Sequence, residues 1–159
     1  VLADTVYDAG RLVAKDVTIT LPAITLLTAD FKAMGTLTLP IIGQIEAMEA
    51  TVNKVGTDMG LRSMASLDSR TLEFRWVQDV KKADGSTKTV GCKAFLRVVT
   101  KTIPGLSVDP GNQSENELGY AVSRYQLFVD GTEYWLIDQL NQILRVGGKD
   151  YYKQIRSLL

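Results

Sequence analysis

Over long stretches of the chain, apolar and polar side chains alternate at every second residue, the period of a β-strand buried on one face. After a break at Asp8-Ala9-Gly10, Val13, Val17, Ile19 and Leu21 fall on one side and Asp16, Thr18 and Thr20 on the other, so this stretch reads as a strand that Pro22 closes. Residues 70–101 read as a hairpin. A three-residue loop, Asp84-Gly85-Ser86, aligns Leu72 with Val98, Phe74 with Leu96, Trp76 with Ala94 and Val80 with Val90 on one face. It sets Glu73 against Arg97 on the other and Cys92 against Gln78 on the apolar side. A second hairpin turns at Asp130-Gly131, where a two-residue turn pairs Val129 with Thr132, Leu127 with Tyr134 and Tyr125 with Leu136. Its opposite face then mixes Phe128, Trp135 and Ile137 with Arg124, Gln126 and Glu133. That mixture is too apolar for open solvent and too charged for a dry interior. Either a helix of the same chain or another subunit covers it in part.

Other segments have weaker periods. Residues 30–43, with Gly35 and Pro40, read as a long loop or projecting hairpin. Residues 44–55 are ambiguous: Ile45, Met48 and Val52 fit a helical face and the composition favours helix, whereas a strand places Met48, Ala50 and Val52 beside Gln44 and Lys54. Thr57 is a candidate cap for a short helix through Met59 and Met64, weakened by Gly60. Residues 103–119, rich in Gly, Pro, Asn, Ser and Glu, read as a long loop. Asp150 stands as the N-cap of a final amphipathic helix with Tyr151, Ile155, Leu158 and Leu159 on its apolar stripe, a stripe expected to join the core.

The 159 residues, 45% hydrophobic and 23% charged, suit one folded domain spanning 1–159. Eighteen basic and eighteen acidic side chains cancel, so no net field gathers nucleic acid at long range, and self-association is only weakly opposed. Histidine is absent, which removes Ser-His-Asp and Cys-His catalysis and the common zinc sites. The single Cys92 reads as a buried reduced thiol, and hence maturation in a reducing cytoplasm. No run nears the about 18 apolar residues of a membrane span, and no signal-peptide order precedes Val1, so the expectation is a trimmed initiator Met and no membrane insertion of the monomer.

Candidate chemistry is sparse. Asp109, Asn112, Glu115 and Glu117 lack the EF-hand order that calcium needs. Asp109 with Glu115 could serve as an acid and base, but nothing in that loop would hold their geometry. Phe74, Trp76 and Trp135 could line a small-molecule pocket, yet Phe74 and Trp76 align with aliphatic partners. The expectation is no catalytic residue, no metal and no cofactor.

The order VTITLP, IEAMEATV, a Pro-Gly loop, YQLFVDGTEYWLID and LNQILRVGGKDYYKQIRSLL resembles the major tail tube protein family of contractile-tailed bacteriophages, also found in phage-tail-like bacteriocins. Tyr125 to Asp138, Leu140-Asn141, Gly147 to Asp150 and Gln154 to Leu158 carry the similarity. The resemblance implies a strand at IEAMEATV. It also implies a mainly β fold with minor α: two crossed antiparallel sheets, a β-sandwich or half-barrel, with a flanking short helix and a C-terminal helix, completing a large barrel in a hexameric ring. Stacked rings form a hollow tube inside a tail sheath protein, with tape measure and baseplate proteins as further partners. The tube conducts DNA without sequence-specific binding in a phage, or punctures an envelope in a bacteriocin or a type VI secretion-like system. The particle, virion or bacteriocin, would be assembled in the bacterial host cytoplasm.

Under this resemblance, the subunit-interface candidates are Phe31, Met34, Gly35 and Leu37, with Phe128, Trp135 and Ile137. Glu73, Arg75, Asp79, Lys81, Lys93 and Arg97, accompanied by Thr71 and Lys88, form a polar face that either lines the lumen or is simply solvated.

Overall fold

The computed structural model describes residues 1–32, 34–106 and 108–159. The strands are β1 Ala3–Asp8, β2 Arg11–Lys15, β3 Thr18–Thr20, β4 Leu26–Lys32, β5 Thr36–Ile45 and β6 Met48–Val55, followed by β7 Arg70–Lys81, β8 Thr87–Thr102, β9 Glu115–Val129, β10 Thr132–Asp138, β11 Ile143–Val146 and β12 Lys149–Asp150. Two short helices complete the set, α1 Met59–Met64 and α2 Lys153–Leu158.

Ten strands form one antiparallel sheet with the path β12-β11-β10-β9-β8-β7-β1-β2, and β4 and β5 form a separate pair. The large sheet forks along β9. Residues 124–129 of β9 pair with β10, whereas residues 115–122 pair with β6, which in turn carries β3. The two arms bring their apolar sides together, so Met48, Ala50, Val52, Leu118 and Tyr120 share one core with Val6, Leu72, Phe74, Leu96, Ile137 and Leu144. The sheet remains open, with β2 and β12 at its ends. This is the β-sandwich or half-barrel with two minor helices.

Residues 48–55 are a strand. Local propensity is overridden because β9 and β3 supply hydrogen bonds on both sides, and because Met48, Ala50 and Val52 reach the core at period two. Lys54, on the same face, is buried with its ammonium 2.9 Å from Asp58. Asp58, not Thr57, caps α1 by accepting the Leu61 N–H, and the bonds to Lys54 and Leu61 hold its carboxyl below the usual range. Gly60 is needed for approach: a Cβ there would lie 2.0 Å from the Val13 carbonyl oxygen.

Several sequence expectations are corrected. The first strand pattern is two elements, because Asp16, at φ 52°, breaks it; β2 pairs with β1 and β3 with β6. β1 itself was not anticipated. The first hairpin has a three-residue loop, but it is Ala83-Asp84-Gly85, one residue earlier than expected. Gly85 takes the left-handed place (φ 85°) that follows the turn, and Lys82 and Ser86 close it. Leu72 therefore faces Leu96, Phe74 faces Ala94, Trp76 faces Cys92, Glu73 faces Phe95 and Thr71 faces Arg97. A shift of two keeps every face and changes every partner. β9 begins at Glu115, so the loop spans 103–114. The apolar stripe of α2 is exposed rather than core, and Asp150 sits in β12, where its carboxylate accepts the Tyr152 N–H.

The last turn of α1 is closed by side chains rather than by a glycine cap. The Met64 carbonyl accepts from the Tyr120 hydroxyl at 2.8 Å and from Arg70, and the Ser66 carbonyl accepts from Arg70 at 2.6 Å and Thr100 at 2.6 Å. Arg70 Nε also lies 3.3 Å from Asp8. Burial of this cluster pushes the Tyr120 phenol well above its ordinary value.

Candidate assembly surfaces

Toward its tip the β4–β5 hairpin has two-sided chemistry. Phe31 pairs with Leu37 and Ala29 with Leu39, with Leu27 on the same side, while Asp30–Thr38 and Lys32–Thr36 make the other side polar. Thr38 donates to Asp30 at 2.8 Å across that polar side. At the tip, Met34 and Gly35 both take positive φ, which tightens the turn. The apolar stripe is left uncovered by its own chain: Leu27, Phe31, Leu37 and Leu39 are 40 to 52% exposed. Thus Phe31, Met34, Gly35 and Leu37 do come together, on one projecting element. Leu27 and Leu39 were missed, although odd positions from 27 to 39 carry the signal once the turn is recognised.

The second interface group divides. The turn at Asp130-Gly131 has both residues at positive φ, as a two-residue hairpin needs. Val129 faces Thr132, but Tyr134 is then an extra residue, a β-bulge, so Leu127 faces Trp135 and Tyr125 faces Ile137. The bulge turns Trp135 and Ile137 from the outer face to the inner one. Ile137 is fully buried in the core and Trp135 packs against it, beside the Tyr125 ring at 6.0 Å. Burial raises the Tyr125 phenol to about 12. Phe128 stays on the outer face, edge-on to Phe95 at 5.9 Å between centroids.

Glu73, Arg75, Asp79, Lys81, Lys93 and Arg97 all lie on that same outer face of β7 and β8, with Thr71. Lys88 does not. It faces Val80 on the other side and pairs with Asp130 at 2.8 Å. On β7 the charges answer each other locally: Arg75 donates to Glu73 at 2.5 Å and lies 4.4 Å above the Tyr7 ring, and Thr89 donates to Asp79 at 2.7 Å. The Glu73 bond raises the Arg75 guanidinium further. On the far side of the face, Arg145 donates twice to Glu133, at 2.6 and 3.1 Å, and Gln126 donates to it at 3.0 Å; these bonds hold the Glu133 carboxyl low. Between these groups lies an open cleft of about 570 Å³, lined by Lys93, Phe95, Arg124, Gln126 and Phe128. Arg124 is a member that sequence reasoning had noted only as part of a mixed face.

Among the described residues no group of His, Cys, Asp and Glu is arranged to hold a metal ion. What the surface offers is a set of contacts, and a family comparison gives them their context. A family model described as phage tail tube protein FII matches residues 3–159. The chain belongs to that family. As a tail tube protein it is a structural component of a phage-type tail or related injection particle, as the resemblance implied. No curated protein matches the chain significantly. Among solved structures, the tube protein fold is matched by a chain of the PVC sheath-tube complex of an extracellular contractile injection system in its extended state, with a TM-score of 0.55 and 11% identity over 80% of this chain and 89% of that chain. At that identity the likeness speaks for the fold.

Proposed function

We propose that residues 1–159 act as one tail-tube domain that closes into six-membered rings, which stack into the hollow inner tube of a contractile tail. The observation that carries this reading is the β4–β5 hairpin. An isolated two-stranded ribbon is marginal in water, and this one exposes an apolar stripe along its length. Docked on a neighbouring copy, the stripe is covered and the ribbon gains the second layer it lacks. The open ends of the sheet at β2 and β12 support the same reading, since unpaired edges invite joining between subunits.

In this arrangement the β7 side of the charged face lines the bore. Glu73, Arg75, Asp79 and Lys81 balance in sign, so a wet passage there neither holds nor repels polyanions strongly. The sheath protein surrounds the tube, tape measure and baseplate proteins meet it during assembly in the host cytoplasm, and the role is mechanical, without catalysis. The bore passes DNA in a phage; in a phage-derived bacteriocin the shaft punctures an envelope. The solved fold relative belongs to a sheath-tube complex, which supports a sheath as partner.

Electron microscopy and sedimentation of the concentrated protein test the proposal. Rings or tubes are expected from the wild type and monomers from Phe31→Ser/Leu37→Ser. A wild type that stays monomeric at every concentration overturns it.

A further inference from the structure

On the β8–β9 side of the outer face the charges do not balance. Arg97 stands directly opposite Arg124 across the ladder, and Lys93 stands opposite Phe128. Like charges in direct register repel. Arg124 has one ion-pair partner, Asp138 at 3.7 Å, whose oxygens already accept from Leu140, from the Asn141 backbone and from the Asn141 side chain; its charge also acts on Glu133, which Arg145 and Gln126 already hold. Among the described residues Lys93 and Arg97 have no ion pair. Lys93 and Arg124 line the cleft with the Phe95–Phe128 pair, and Arg97 adjoins it beside Arg124. Such a surface fits an extended segment that carries carboxylates and apolar side chains together.

One segment of this chain has that chemistry. Residues 103–117 hold Asp109, Glu115 and Glu117 and no Lys or Arg. All three carboxylates are exposed, as are Ile103, Leu106 and Val108, the last 92% exposed. The tip is a firm turn: Gly111 has φ 90°, and Asn112 donates to Asp109 from its backbone at 3.2 Å and from its side chain at 2.6 Å. Among the described residues no hydrogen bond or ion pair joins this loop to the cleft of its own molecule. It leaves β8 at Thr102, where the ladder pairs Thr102 with Gly119, and the Arg97–Arg124 and Lys93–Phe128 rungs lie five and nine residues further along the strand. Those separations are about 17 and 30 Å along the strand.

We propose that loop 103–114 of one subunit, with Glu115 and Glu117 at its base, seats in the Lys93–Arg124 cleft of the next, with Arg97 at its border. The contact rests on the tube reading and deepens it. Loop and cleft are different patches, so each subunit offers one of each and the contact runs head to tail, as ring closure or stacking requires. It assigns Lys93 and Arg97 to a subunit contact rather than to the bore.

Two charge-reversed variants test the contact: Lys93→Glu/Arg97→Glu at the cleft, and Asp109→Lys/Glu115→Lys in the loop. Assembly is followed by sedimentation and microscopy, and folding by thermal melts. Each variant alone is expected to raise the critical concentration for assembly about tenfold or more, with melts unchanged. An equimolar mixture should assemble again, because the basic loop of one variant fits the acidic cleft of the other and the original pairing survives in the reciprocal contact. Raising the salt should weaken wild-type assembly, which needs no variant to fold. Single variants that assemble like the wild type, a mixture that fails to recover, or wild-type assembly indifferent to salt each overturn the contact while leaving the tube reading intact. A wild type that never assembles removes the tube reading and this contact with it.

Discussion

In the ten-stranded sheet the apolar side of each arm meets the other arm, and Phe74, Leu96 and Ile137 lose all contact with water; in the β4–β5 hairpin the same alternation leaves Phe31 and Leu37 half exposed. Alternation at period two is common to both regions. The difference is whether the chain itself provides a second layer. Where it does, burial contributes to folding. Where it does not, the remaining apolar area, about 1 kcal/mol for each half-exposed large side chain, is left for association. A tube subunit needs both kinds of strand, one to fold alone and one to join.

The contrast can be broken most severely from the core side. Phe74→Ala should lower the unfolding free energy by about 3–5 kcal/mol in a denaturant titration, since the site is fully buried. Arg70→Ala should cost a similar amount, about 3–5 kcal/mol, because it strands the partly buried Asp8 carboxylate and removes one of the donors that each carbonyl at the end of α1 accepts from. Gly60→Ala should cost about 1–3 kcal/mol as α1 moves off the Val13 carbonyl, and a thermal melt would register it.

Acid should act on the periphery. The Arg145 bonds depress Glu133 and the Arg156 bonds depress Asp150, so each carboxylate binds protons less readily in the folded chain than in the unfolded one. Their contribution is therefore complete above the ordinary carboxylate values of about 4 and is lost as pH falls through the depressed ones. Both pairs are partly exposed, so about 0.5–1 kcal/mol each is expected, and Glu133→Gln with Asp150→Asn should flatten the fall in stability below pH of about 4. Phe31→Ser sharpens the comparison with the smallest effect on folding. Monomer stability should move by no more than about 0.5 kcal/mol, while ring formation is lost.

Much of the candidate site was legible in the sequence. The outward position of Glu73, Arg75, Asp79, Lys81, Lys93 and Arg97 follows from parity alone, and survives a register error of two. Parity fails where the chain inserts a residue. At Tyr134 a single bulge reverses Trp135 and Ile137, and nothing local in that stretch marks it. The bulge is stabilised by what lies on either side: Tyr125 and the core receive Trp135 and Ile137, and the Tyr134 carbonyl accepts from Gly147 at 2.9 Å.

The amino-acid order by itself determined which segments alternate, where Asp130-Gly131 must turn, and that no imidazole chemistry exists here. Those are properties of the residue and its backbone, set at the scale of a few bonds. Only the tertiary structure decided that residues 48–55 are a strand, how β7 and β8 align, and that the β4–β5 stripe stays bare. Each of these depends on hydrogen-bond partners or covering layers supplied from distant parts of the chain, and their energy exists only once those parts have met.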